Sequence, residues 1–212
     1  MKWIDRLFRF CPECETRISH KARYCEHCGA WLAKSAWLPE GSFNWGLVSE
    51  ILADLLTEPT VEYPTKVQAC RAVLQSTRKG AGLIAGFEDR IRSLSTEELR
   101  KVYRDTFDLT PSFSLEVGKQ LYPTDEDERD KFVAWMRQEL RSKNVKITPY
   151  SPDSADNLIL CLRAIARMNS ARAEDFASAV LPAVSKIAAA MRAANNPFEN
   201  LLTTVEWMLT PS

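Results

Sequence analysis

The seven glycines of this 212-residue chain stand at 29, 41, 46, 80, 82, 86 and 118, and none follows. A sheet over residues 119–212 would need tight turns, and tight turns draw on glycine for backbone conformations that other residues avoid. The apolar residues of that stretch recur at helical spacing instead. Phe132, Val133, Met136 and Leu140 form one stripe, and Phe176, Val180, Leu181, Val184, Ile187 and Met191 form a longer one. Residues three and four apart share one face of a helix, so both stripes are expected to face a core. The pattern predicts an all-α fold for the larger part of the chain.

Helix punctuation agrees. Ser95 with Glu98 reads as a capping box, and Thr124 precedes the acidic first turn Asp125, Glu126, Asp127. Pro64 and Pro197 suit the start of a helix, while Asn195 and Asn196 suit the left-handed residue that ends one. Pro182 falls inside a strong helical pattern and predicts a kink or split near Ser178 to Leu181. The result is a helical bundle of about eight or nine helices, at roughly 47–57, 64–78, 82–93, 96–108, 112–121, 125–142, 154–168, 171–194 and 198–209. Residues 33–46, AKSAWLPEGSFNWG, have no period and contain Pro39, Gly41 and Gly46, so they read as a linker. This gives a small unit at 8–32, the linker at 33–46 and a helical domain at 47–212.

The small unit carries Cys11, Cys14, Cys25 and Cys28, two CxxC pairs separated by ten residues. Two residues between cysteines let both thiolates of a pair face one ion, and two pairs complete a tetrahedron around zinc. Pro12 stiffens the first turn, and Gly29 offers a positive φ just after the last cysteine. Four thiolates leave no position for water, so the predicted cofactor is one structural Zn²⁺ in a zinc ribbon. About thirty residues bury too little apolar surface to fold alone, and the metal is expected to supply the difference. The all-cysteine set is preferred over one that includes His20 or His27. Cys70 and Cys161 stand alone among helix formers and are assigned no chemistry.

Lys plus Arg and Asp plus Glu both count 28, so no overall field gathers nucleic acid or anionic membrane. Residues 1–46 hold seven basic and five acidic side chains. Four thiolates with Zn²⁺ bring that segment close to neutral, which speaks against a phosphate-tracking surface. The same segment holds Trp3, Trp31, Trp37 and Trp45, four of the six tryptophans. They suit protein contact or base stacking, or else they dock the ribbon onto the helical domain. Met1 to Phe10 lacks the continuous apolar run of a signal peptide, and Lys186 and Arg192 interrupt the apolar stretch 176–194, so a cytoplasmic protein without membrane insertion is expected. No histidine follows residue 46, nor does any GxSxG, P-loop or GxGxxG, and the chain is not expected to be an enzyme.

One stretch is more distinctive. Tyr103-Arg-Asp-Thr-Phe-Asp108-Leu-Thr-Pro111-Ser-Phe-Ser-Leu115 resembles the YxxTFDLTPxxSL segment of the NarJ-like branch of the TorD/DmsD chaperones, all-helical cytosolic proteins that assist the assembly of molybdenum redox enzymes. Downstream, Arg129 and Met136 match positions of the family's next helix, where Asp130 replaces a glycine. Asp156-Asn157-Leu158 falls where the family commonly has Asp-His-Leu, and Arg163 stands in place of a glutamate. The closing NPFENLLTTVEWML is similar to the family's terminal helix. The likeness spans about residues 47–210. It implies a chaperone that binds the N-terminal leader of a molybdenum or tungsten oxidoreductase's catalytic subunit and assists cofactor insertion. The positions it implies for client binding are Tyr103, Asp108, Pro111 and Leu115 at one joint, and Asp156 and Asn157 at another. Read as residues alone, Tyr103 and Leu115 also suit a core, and Asp156 suits a helix cap. The alternative reading is a nucleic-acid-associated regulator with a zinc ribbon and a helical dimerisation domain. A hydrolase using carboxylates alone has no motif behind it.

Overall fold

The computed structural model of the chain describes residues 8–10, 17–19, 45–147, 154–168 and 170–210. The chain divides into two compact units, 1–43 and 44–212. In the first, β1 (Phe8–Phe10) pairs antiparallel with β2 (Arg17–Ser19), Phe10 opposite Arg17. The four cysteines of the predicted zinc site, both histidines, Trp3, Trp31 and Trp37 lie outside the described residues, as does the linker up to residue 44.

The second unit is all-α, as its glycine distribution and apolar spacing predict. Among the described residues it comprises α1 (Trp45–Leu55), α2 (Tyr63–Leu74), α3 (Arg78–Ile91), α4 (Thr96–Phe107), a 3-10 turn (Pro111–Phe113), α5 (Val117–Leu121), α6 (Glu126–Ser142), α7 (Leu158–Ile165), α8 (Ser170–Ala193) and α9 (Glu199–Leu209). The capping box forms: Ser95 Oγ accepts from the Glu98 N–H, and the Ser95 N–H donates to the Glu98 carboxylate at 2.8 Å. At α6 the cap is Asp125, one residue beyond Thr124, with its carboxylate accepting from the Glu128 N–H at 3.0 Å. Asn195 closes α8 at φ 51°. Asn196 Oδ1 then accepts from the Phe198 N–H at 2.9 Å and turns the chain into α9.

Three features differ from the sequence-based expectation. The helix expected at 112–121 is broken into the 3-10 turn and the five-residue α5. The backbone between them is used elsewhere: the Leu158 N–H donates to the Leu115 carbonyl at 2.8 Å, and the Val117 N–H to the Asp156 carbonyl at 3.1 Å. For the same reason α7 begins at Leu158 and not near residue 154, with Asn157 Oδ1 capping it through the Ile159 N–H at 3.0 Å. Finally, α8 runs unbroken through Pro182. Ser178 and Pro182 are both exposed, so the carbonyl that loses its partner lies on the wet side of the helix.

The core is built where α9 meets α3 and α8, and where α1 meets α2 and α7. Phe198 is fully buried and meets Phe107, Phe87 and Tyr103 at centroid distances of 5.2, 5.6 and 5.9 Å. Such aromatic pairs add about 0.5–1.5 kcal/mol each beyond the area they bury. A Cβ at Gly80 would stand 2.7 Å from the Trp207 ring, so the missing side chain is what lets α3 approach α9. The last carbonyls of α1 lack helical partners, and two tyrosines supply them. Tyr63 donates to the Leu55 carbonyl at 2.5 Å and Tyr103 to the Leu56 carbonyl at 2.9 Å. By length and composition the segment Arg172–Ala193 of α8 could cross a membrane. Within this unit, however, its stripe of Phe176, Val180, Val184, Ile187 and Met191 is buried.

Candidate functional site

The two joints singled out in the sequence meet. Glu116 and Asn157 form an isolated antiparallel bridge, flanked by the Leu115–Leu158 and Val117–Asp156 backbone hydrogen bonds. A side chain reinforces the contact: the Gly118 N–H donates to Asp156 Oδ2 at 2.6 Å. Gly118 is required there, because a Cβ would stand 2.8 Å from that oxygen and 3.1 Å from Arg129 Cγ. Leu115 is 5% exposed and Asp156 2% exposed, while Asn157 is half-buried.

The other three predicted residues sit elsewhere. Tyr103 is buried, with its hydroxyl committed to the Leu56 carbonyl and its ring 4.9 Å from that of Phe107. It packs the core. Asp108 caps the end of α4 and is exposed, as is Pro111 at the head of the 3-10 turn. Between them Leu109 is 71% exposed, one of the two large apolar side chains so presented among the described residues. Gln120 Nε2 donates to the Pro111 and Ser114 carbonyls at 3.2 and 3.0 Å, which fixes this loop against α5.

Beside the clasp opens a cleft of about 450 Å³, lined by Glu116, Lys119, Arg129, Asp130, Val133, Arg137 and Asp156. Arg129, Val133 and Arg137 stand four residues apart, so α6 presents them as one stripe along the cleft. Glu116 pairs with Lys119. Burial pushes the Asp156 carboxyl above the usual carboxylate range; the Gly118 N–H opposes that shift, nearby Glu116 adds to it and Lys119 weakly opposes it. Six of the seven lining side chains carry charge, three of each sign, and Val133 alone is apolar. Such a lining offers mostly charged and hydrogen-bonding groups and little apolar surface.

Arg163, in place of the glutamate that the resemblance would supply, reaches α1. It pairs with Asp54 at 3.2 Å, and Arg167 one turn on pairs with Glu50 at 3.4 Å. Cys70 and Cys161 are buried. Burial pushes the Cys70 thiol up to about 12, and the Cys161 thiol also lies well above its usual value, so neither is a nucleophile. Among the described residues no three His, Cys, Asp or Glu side chains gather where they could hold a metal ion.

Sequence reading missed Glu116, Lys119 and Arg137 as site residues, and noted Arg129 and Asp130 only as positions of a helix. The 129–133–137 spacing was the available signal. What faces that stripe depends on residues 116–119 and 156, which are far away in sequence. No protein-family model matches this chain, and a search of curated proteins finds no match to it.

Proposed function

We propose that the 44–212 unit is a cytoplasmic assembly chaperone that binds the leader or N-terminus of a molybdenum or tungsten oxidoreductase's catalytic subunit and assists insertion of its molybdopterin cofactor. In this reading it works by binding and catalyses no reaction. One observation supports it: the segment that resembles the NarJ-like proteins most specifically, 103–115, meets residues 156–158, which fall where the family commonly has Asp-His-Leu, through the Leu115–Leu158 hydrogen bond and the Glu116–Asn157 bridge at the edge of one cleft. The exposed loop Asp108-Leu109-Thr-Pro111 supplies an apolar contact, and the cleft supplies charged ones, as recognition of a short peptide requires. Asp108 and Pro111 belong to the exposed loop, Asp156 lines the cleft, Leu115 and Asn157 form the joint beside it, and Tyr103 packs the core.

The same reading assigns one structural zinc ion to Cys11, Cys14, Cys25 and Cys28. Two CxxC pairs at this spacing support it. The chaperone proposal is tested by gentle purification of tagged protein from its native cells. Recovery of a molybdopterin catalytic subunit is the expected result, and recovery of only general chaperones or nucleic acid would refute it.

A further inference from the structure

The cleft holds charged groups that the protein leaves uncommitted. Asp156 gives Oδ2 to the Gly118 N–H, and among the described residues no side chain forms an ion pair or hydrogen bond with its carboxylate. It nevertheless lines the cleft, and a carboxylate has more acceptor positions than its backbone partners fill. Asp130 lines the same cleft, and no ion pair of a described residue engages it. Among the described residues the only ion pair of Arg129 is a 3.8 Å contact with Glu126, whose carboxylate is 84% exposed. The stem of Arg129 passes near Asp156, both within about 3 Å of where a Gly118 Cβ would stand, yet the two side chains make no ion pair.

A carboxylate with one oxygen already engaged is selective. A guanidinium is best held by both oxygens of one carboxylate, and at Asp156 the Gly118 N–H already takes Oδ2. An ammonium is a compact donor whose three N–H groups turn freely, so single oxygens of two carboxylates satisfy it. Arg129 then asks for an acceptor beside that ammonium. A lysine side chain has only methylenes there, whereas an α-ammonium has its own carbonyl or carboxylate two bonds away.

We propose that this cleft binds an α-ammonium group together with its adjoining carbonyl or carboxylate, the ammonium between Asp156 and Asp130 and the acceptor on Arg129. A polypeptide N-terminus or a free amino acid presents that chemistry. The polypeptide source rests on the chaperone reading and names the part of the client that enters the cleft, its first residue.

The test is calorimetric titration of the full chain with tri-alanine, N-acetyl-tri-alanine and free alanine. Tri-alanine is expected to bind, and acetylation to weaken it at least about tenfold. Asp156→Asn and Arg129→Gln are each expected to weaken it to a similar degree. Asp130→Asn, at an exposed position, examines the same ammonium contact if the buried substitution fails to fold. Equal binding of the free and acetylated peptides, or no binding of any of the three probes, overturns the proposal. Binding of alanine alone upholds the ammonium site and overturns the polypeptide source. A client captured equally by wild type and Arg129→Gln leaves the chaperone function standing and removes this site. Amine binding with no client recovered does the reverse.

Discussion

Asp156 ties two distant segments together with one oxygen, and its burial gives that tie a pH dependence. Its folded-state carboxyl titrates above the usual range, so within that window the folded protein keeps a proton that the unfolded chain has released. Its contribution to stability is therefore complete below the ordinary carboxylate range and is lost as pH rises through the raised value. Asn at this position keeps an oxygen for the Gly118 N–H and cannot ionise. Urea denaturation across acidic pH should show Asp156→Asn gaining on wild type as pH rises, and a difference independent of pH would refute the account. Comparing the two proteins cancels Glu50, which burial also raises, and Glu98, which its cap hydrogen bonds lower. Tyr103 makes a different case. Tyr103→Phe leaves the buried Leu56 carbonyl without its donor and should cost about 1–3 kcal/mol in the same assay, while client capture stays unchanged. Loss of capture in a folded Tyr103→Phe protein would return this residue to the binding surface.

At the scale of elements, the chain obeys its own punctuation wherever the deciding contacts are local. The capping box at Ser95, the acidic start of α6 and the Asn195 left-handed turn all form within four residues of the positions that predict them. Pro182 shows where this fails. Proline in a helix interior is penalised for a missing N–H and a clash, but α8 continues because the orphaned carbonyl is on its exposed side. Pro182→Ala restores the donor and should stabilise the protein by about 1–3 kcal/mol, read as a raised midpoint in thermal or urea unfolding. A lowered midpoint would mean that the proline is needed for the packing of α8.

For the whole molecule, the division after residue 43 implies two units with separate sources of stability. The helical unit buries its own core, and in the proposed reading the N-terminal unit takes its stability from zinc. Chelation at neutral pH should release about one zinc per chain and leave most of the far-ultraviolet helical signal intact. Simultaneous loss of both signals would mean that the two units fold as one.

The sequence by itself determined the all-α class, most helix boundaries and the two CxxC pairs. These depend on periodicity and on contacts within a turn or two, which spacing records directly. Only the tertiary structure decided that residues 114–117 leave the helical path to pair with residues 156–158, that Tyr103 is spent on the end of α1, and that Arg129 and Asp130 share a cleft with Asp156. A backbone group takes whichever partner the packed core brings within reach. When that partner is some forty residues away, neither propensity nor spacing carries its address.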